Sequence, residues 1–534
     1  MNSRLLIIGA LGTLLVGGIV ARLGYLQINQ HERFEEIARE QEVPSVFRDA
    51  ALAKRGSIFA RDTFLLASMR REYDLAINPK TLSQPETAFS LLASVVAFER
   101  DDFFAKAAKK DDPFEVIKKR LNDEEVHAVR DLLAREQENL IGVLLAPEKK
   151  RFYPGGNLLA HVLGFVGADE AGELAGRYGI EQYFEKDLAE GKDITLTIDH
   201  NVALFAQQLV ELLAEKWQAE TAGVVVLEPR SGRVLTMNVA PAFDPNRFYE
   251  ANIFDFLNPF IQTRIEPGSV IKPLTLAAAI DAGAVTPETT YYDKGYREFD
   301  TERINNFDKK GRGTVTMQEV LSQSLNTGAV FAMEKMGKAT FRRYAQRFGL
   351  GEKTGIALAG EITGDLRNLD SPRMIEFATA SFGQGIATTP LGLARALAII
   401  ANDGKLPELT VIDHRGVSNG VGVIKKETAD TITRMLVKVV DTTLAEGKGK
   451  IPGYSVAAKT GTAQLPDPVS GGYSEDFLHT FFGYAPAHDP HFLVFLFLKR
   501  PQGVTYASHT LTEPFRDMMQ FLLATYAIPP DRVE

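Results

Sequence analysis

The chain has no cysteine, which excludes disulfide bridges, thiol nucleophiles and Cys-based zinc sites together. That absence sits comfortably with an oxidising compartment, where stray thiols are a hazard. Histidine is sparse, and none of the nine stands in a metal-ligand spacing such as H-E-x-x-H. The closest pair, His488 and His491 in "APAHDPH", lies beside prolines and reads as a solvated turn. No metal and no cofactor is expected. Blocks of lysine and arginine are missing too, and a formal charge of −9 argues against a nucleic-acid binder. No repeat or low-complexity linker interrupts the sequence. What is present is length and apolar content: 534 residues, 45% of them hydrophobic, enough for two or three domains.

One long uncharged run occurs, Leu5 to Ala21. At about 1.5 Å per residue it reaches roughly 25 Å, near the lower limit for a bilayer core, and "LGYLQI" extends it toward the interface. No A-x-A cleavage pattern follows, so an uncleaved membrane anchor is expected. Arg4 favours a cytoplasmic N-terminus, although Arg22 on the far flank weakens that signal. Thr13, Gly17 and Ala21 form a small-residue row fit for a partner helix.

Residues from about 30 to 205 read as a mixed region without catalytic signatures. "RGSIFARDTFLLA" and "EYDLAINP" alternate as short strands around a turn, and 85 to 136 is helical in pattern. In "DPFEVIKKRL" the spacing predicts a helix capped by Asp112, with Pro113 first, Glu115 closing a capping box, and Phe114, Ile117 and Leu121 on one face. Asn122 and Glu125 repeat the start signal. Near residue 200 the texture changes: "NVALFAQQLVELLAEKW" is an amphipathic helix, and "AGVVVLEPRSGRVLTMNV" is a hairpin turning at Pro229 to Gly232. A helix beside an antiparallel sheet opens a second, α+β domain.

Three short motifs follow in that domain. In "EPGSVIKPLTLAAAIDAG", Ser269 stands after a Pro-Gly turn at the head of an apolar helix, and Lys272 one turn on places its amine beside the hydroxyl. A lysine kept neutral by burial or a neighbouring charge can take the serine's proton. In "LSQSLNTGAV", Ser324 and Asn326 form the chain's only S-x-N, between two helical segments. "KTGTAQ" at Lys459 follows β-prone residues and reads as an edge strand beside a cleft. There Lys459 offers charge for a carboxylate, Thr460 and Thr462 offer hydroxyls, and Gly461 allows close approach of substrate backbone. The backbone N–H groups of Ser269 and Thr462 are placed to form an oxyanion hole. The second K-T-G, at Lys353, lies in a Gly-punctuated stretch after a helix and reads as a turn.

S-x-x-K, S-x-N and K-T-G in this order resemble the set shared by penicillin-binding proteins and serine β-lactamases. The chain resembles a class B penicillin-binding protein over its whole length: "RGSIFARDTFLLA", "RFYPGGNLLAHVLGFVG", "GIEQYFEKDL" and "TLTID" are similar to the family's pedestal, and "FDPNRF", "EPGSVIKP" and "SFGQGIATTPLGLARA" to its catalytic domain. The resemblance implies an α+β fold with a single N-terminal transmembrane helix within 1–28, an elongated pedestal over 29–205 and an antiparallel-sheet transpeptidase domain over 206–534. It departs from the family at Ala458, where glycine is usual, at Ser508-His509, where Gly-Gly is frequent, and in "RDTFLLA", which lacks an Asn-Gly turn.

By that resemblance Ser269 is the nucleophile, Lys272 the base, and Ser324 with Lys459 the proton relay and electrostatic support. Asn326, Thr460, Gly461 and Thr462 contact substrate. The implied activity is D,D-transpeptidation of peptidoglycan stem peptides through a Ser acyl-enzyme that β-lactams mimic, with the catalytic domain outside the cytoplasmic membrane. A D,D-carboxypeptidase or an inactive wall-synthesis scaffold is the alternative. A class A β-lactamase would need a Glu followed four residues later by Asn between the second and third motifs, which is absent, and a bifunctional synthase would need a glycosyltransferase module. Implied partners are a multi-span glycan polymerase and other wall-synthesis proteins, with septation favoured over side-wall elongation.

Overall fold

A computed structural model describes residues 55–168, 174–299, 302–413, 420–467 and 471–532. The anchor expected at Leu5 to Ala21 lies outside them. Among the described residues no helix is long and apolar enough to cross a membrane.

The first region is built on one long strand. Ile58–Phe59 turns through residues 60–64 into β1 (Leu65–Ile77), which runs unbroken through the two segments expected to be separate strands. The turn places Thr63 at φ 67°, with Asp62 Oδ1 accepting from the Phe64 N–H at 3.3 Å. A β-branched residue is strained in the left-handed region, where a glycine would not be. Thr63→Gly is therefore expected to raise stability by about 1 kcal/mol, read from urea unfolding of the full chain.

The helix expected from Asp112 does not form. Asp112 Oδ1 does accept a local N–H, from Phe114 at 3.0 Å, but the following residues are strand β2 (Glu115–Lys118). They pair antiparallel with β1, Ala76 opposite Val116 and Ile77 opposite Glu115. β-Branched Val116 and Ile117 suit a strand better than a helix, and the open edge of β1 supplies ladder hydrogen bonds that a short helix would have to match alone. Ile117 and Leu121 are buried as expected, whereas Phe114 is 46% exposed. The next start signal holds: α1 (Asp123–Arg135) carries the reciprocal Asn122–Glu125 capping box. Strand β3 (Val143–Phe152) completes this layer against β1, and Leu75, Ile77, Phe103 and Val129 fill a small separate core.

Where the β1–β3 ribbon meets the main body lies a buried ionic cluster. Glu181, fully buried, receives Arg55 Nη2 at 2.6 Å, Arg151 Nε at 2.6 Å and the Tyr153 hydroxyl at 3.2 Å. Glu185 takes a second pair of bonds from Arg55. Burial alone would loosen Arg55's proton, but the hydrogen bond to Glu185 and the Glu181 charge more than offset it and raise its pKa.

From residue 200 the chain builds a single five-stranded antiparallel sheet. Helix α2 (His200–Lys216) is capped by Asp199, whose carboxylate accepts the N–H groups of Asn201 and Val202. It packs on the hairpin β4 (Thr221–Leu227) and β5 (Val234–Ala240). Helix α3 (Lys272–Asp281), the short α4 (Met317–Ser322), α5 (Asn326–Met336) and the long α6 (Lys426–Thr442) follow. Then come β6 (Ala457–Pro466), β7 (Tyr473–Ala485), β8 (Phe492–Lys499) and the closing helix α7 (Ala507–Thr525). The strand order is β6-β7-β8-β4-β5, so β6 is an edge. Helices α2 and α7 pack against the sheet and each other, and α6 packs on β6 and against α3. The main core is continuous from Ile58 through Leu523, so the Ile58–Ala67 turn and the stretch from Tyr153 onward share one apolar interior with the five-stranded sheet.

Candidate active site

The cleft at the free edge of β6 has a volume of about 960 Å³. Ser269, Ser324, Asn326, Lys459, Thr460 and Thr462 all border it. Each motif reaches the cleft by a local device. Pro267 and Gly268 turn the chain into a short 3₁₀ segment, Gly268–Ile271, and α3 continues from Lys272 with Pro273 in its first turn. Ser324 occupies the left-handed region at φ 55° in the break between α4 and α5, which turns its hydroxyl inward. Lys459 lies on the edge strand, opposite Phe482 of β7. Lys353, by contrast, is exposed in the turn after the helix Lys338–Arg347, as expected of the second K-T-G.

Lys272 is fully buried, and its Nζ lies at the centre of four oxygens: Ser269 Oγ at 3.0 Å, Ser324 Oγ at 3.2 Å, the Ser324 carbonyl at 2.6 Å and Asn326 Oδ1 at 2.8 Å. The carbonyl and Oδ1 can only accept. They take two N–H bonds, so a neutral amine is left with its lone pair toward the hydroxyls. Burial, and then the charge of Lys459, lower the Lys272 pKa well below that of an ordinary lysine. Lys459 is 3% exposed, donates to the Thr460 carbonyl at 2.9 Å, and is pushed by burial down to about 7. Two buried ammonium groups facing one crevice disfavour double protonation, which is the condition a lysine base requires.

Two comparisons bear on this geometry. The description "Penicillin binding protein transpeptidase domain" matches residues 222–520, more than half the chain, and "Penicillin-binding Protein dimerisation domain" matches 50–201. The chain belongs to the class B penicillin-binding proteins. Stage V sporulation protein D of Bacillus subtilis is 29% identical over 96% of this chain and 84% of its own length. The probable peptidoglycan D,D-transpeptidase PenA of Neisseria meningitidis is 29% identical over 99% and 94%. The peptidoglycan D,D-transpeptidase FtsI of Escherichia coli is 30% identical over 73% and 70%.

The departures from the family pattern find their places in this penicillin-binding protein. Ala458 is fully buried opposite Gly483, and a Cβ on that glycine would meet the Ala458 methyl and Phe515 of α7. The extra methyl therefore fills a gap on the α7 face of the sheet and leaves the cleft clear. Gly461, expected to admit substrate backbone, is also tightly packed within the fold. A Cβ there would strike Thr480 Oγ1 and come within 3.0 Å of the Val270 backbone nitrogen. Its smallness lets the turn that presents Ser269 seat against β6. Thr462 Oγ1 accepts the Ala507 N–H at 3.1 Å and so caps α7 from outside, a task no side chain at Tyr506 performs. Ser508 borders the cleft, while the His509 ring meets Tyr506 edge to face.

Several supporting residues carried no signal in the motifs. Gly268 donates its N–H to the Gly383 carbonyl at 3.0 Å, and Gly383, at φ 91°, has no room for a Cβ against Gly268. The "SFGQG" segment thus grips the turn that presents Ser269. Glu266 bonds the Gly385 N–H at 3.0 Å and the Tyr473 hydroxyl at 2.9 Å, tying that grip to the tip of the β6–β7 hairpin. His479, fully buried and opposite Thr462, holds Thr510 Oγ1 and the Thr505 carbonyl. Burial keeps it neutral by pushing its pKa down to about 4.

Proposed function

We propose that this protein is a peptidoglycan D,D-transpeptidase that is anchored by residues 1–28 in the cytoplasmic membrane, works on its outer side, and serves septation. The observation that carries the catalytic part is the position of Lys272 Nζ, 3.0 Å from Ser269 Oγ with two obligate acceptors on its other side. Lys272 takes the Ser269 proton as Oγ attacks the carbonyl carbon of the penultimate D-Ala. The backbone N–H groups of Ser269 and Thr462 receive the developing oxyanion. The proton passes through Ser324 to the departing amine, the C–N bond breaks, and D-Ala leaves an acyl-Ser269 ester. The acceptor amine of a neighbouring stem then attacks that ester, regenerating the hydroxyl. Lys459, Thr460 and Thr462 hold the terminal carboxylate, and Asn326 the substrate amide.

The pH dependence follows from the paired lysines. Lys272 acts while neutral, so acylation falls as pH drops through its lowered pKa. Removing the like charge of Lys459 lifts that pKa. Lys459→Met is therefore expected to move the acid limb of the acylation profile to higher pH, besides slowing the reaction; an unmoved limb would mean that the two amines do not interact.

Transfer rather than hydrolysis is tested by product analysis with a donor stem peptide and an amine acceptor. The cross-linked dimer is expected to predominate, and release of the trimmed monomer alone would make the enzyme a carboxypeptidase. The septal role is supported by the absence of a large inserted module beside the cleft among the described residues. Depletion in the source organism is expected to give filaments, with a multi-span glycan polymerase as partner; spheres would assign the enzyme to elongation.

A further inference from the structure

Behind Asn326 lies a buried polar hub that the catalytic motifs do not include. Asp293 is 2% exposed, and its carboxylate receives four donors: the Gly295 N–H at 2.8 Å, Thr327 Oγ1 at 2.8 Å, Asn306 Nδ2 at 2.9 Å and the Arg312 N–H at 3.1 Å. Among the described residues no guanidinium pairs with it, and the Arg312 side chain is turned to Asp308 and Gln323. Thr327, fully buried and adjacent to Asn326, also gives its backbone N–H to Asn306 Oδ1 at 3.2 Å and shares its hydroxyl with Tyr291 at 3.0 Å. The hub therefore clamps the first turn of α5 to the strand Glu302–Asn305 and the residue after it. A buried carboxylate without a cation is costly to keep. A packing role alone would be met by apolar residues of the same volume.

The consequence falls on Asn326. Its Nδ2 donates to the Asn305 carbonyl at 2.9 Å, one residue from the clamp. A carbonyl accepts and never donates, so this contact fixes which end of the amide points each way and leaves Oδ1 for Lys272. Were the amide reversed, its N–H would face Lys272 and claim the lone pair that Ser269 needs. We propose that Asp293, through Asn306 and Thr327, is a positioning residue for acylation: it holds the Asn305 carbonyl against Asn326 and thereby aims the Lys272 lone pair at Ser269. This rests on the reading of Lys272 as base. The charged side chains that share the cleft with it are Lys459 on β6, and Glu302, Arg303 and Arg312 along the opposite wall. None of them contacts the Asn326 amide.

The test uses the full-length protein, with acylation by benzylpenicillin followed across pH and resolved into the initial dissociation constant and the acylation rate constant. Asp293→Asn and Thr327→Val are expected to lower the rate constant by about tenfold to a hundredfold, with the dissociation constant within about twofold of wild type. Their acid limb is expected to move to lower pH, because a freed amide that donates to Lys272 favours its neutral form while occupying its lone pair. Thr327→Ser, which keeps the hydroxyl, is expected to restore both. A hub that only stabilises the fold would lower the melting temperature and leave the limb in place, and that result overturns the proposal. So does a wild-type rate in either folded variant. If Asp293→Asn fails to fold, the Thr327 pair decides alone. Acylation that survives in Ser269→Ala would sink the underlying assignment, whereas normal Thr327→Val with inactive Ser269→Ala sinks only the positioning role.

Discussion

Lys272→Met is expected to lower the rate constant for acylation of Ser269 by about 10³-fold or more, at the upper end of what a single general base supplies. The methionine chain fills most of the lysine's volume, so the packing around α3 persists while the amine is lost. Without it the Ser269 hydroxyl loses the one side chain that hydrogen-bonds to it among the described residues. Lys272→Arg is expected to be equally inactive, because a guanidinium stays protonated and cannot take the proton. Stopped-flow acylation with a chromogenic cephalosporin measures both, and a loss below about tenfold would move the base to another group.

Glu181→Ala has the largest expected effect on stability. Arg55 and Arg151 have side chains 8% and 2% exposed, and each directs a 2.6 Å ion pair at this one carboxylate. Removing it strands the Arg151 guanidinium in the interior and leaves Arg55 with Glu185 alone; breaking a buried pair costs about 3–5 kcal/mol. The cluster joins the β1–β3 ribbon to the main body, and the loss is read as a lowered urea midpoint for the full chain. The acylation rate of the remaining folded protein is expected to be unchanged, because the cluster does not border the cleft. A shift worth less than about 1 kcal/mol would mean that water reaches the guanidinium groups and screens them.

The candidate reacting groups were legible in the sequence because each motif is short and its geometry is local. A spacing of three on one helical turn brings Lys272 to Ser269, a break between two helices turns Ser324 inward, and β-prone residues before Lys459 separate the K-T-G that borders the cleft from the copy at Lys353. What depends on distant pairing was not legible. The segment after Asp112 carries helix-start residues, but an open edge of β1 some forty positions earlier makes it a strand. The packing of Gly461 against Val270 across the fold cannot be seen from the strand alone. Asp293 and Glu266 bear no motif, and their importance comes from the donors that the fold collects around them. The expected anchor falls outside the described residues.

The most direct test of the account is intact-mass analysis of the full-length protein after benzylpenicillin, with peptide mapping of the adduct. One penicilloyl group is expected, on the peptide containing Ser269, and none in Ser269→Ala. An adduct mapped to another residue, or one that persists in Ser269→Ala, would contradict the site.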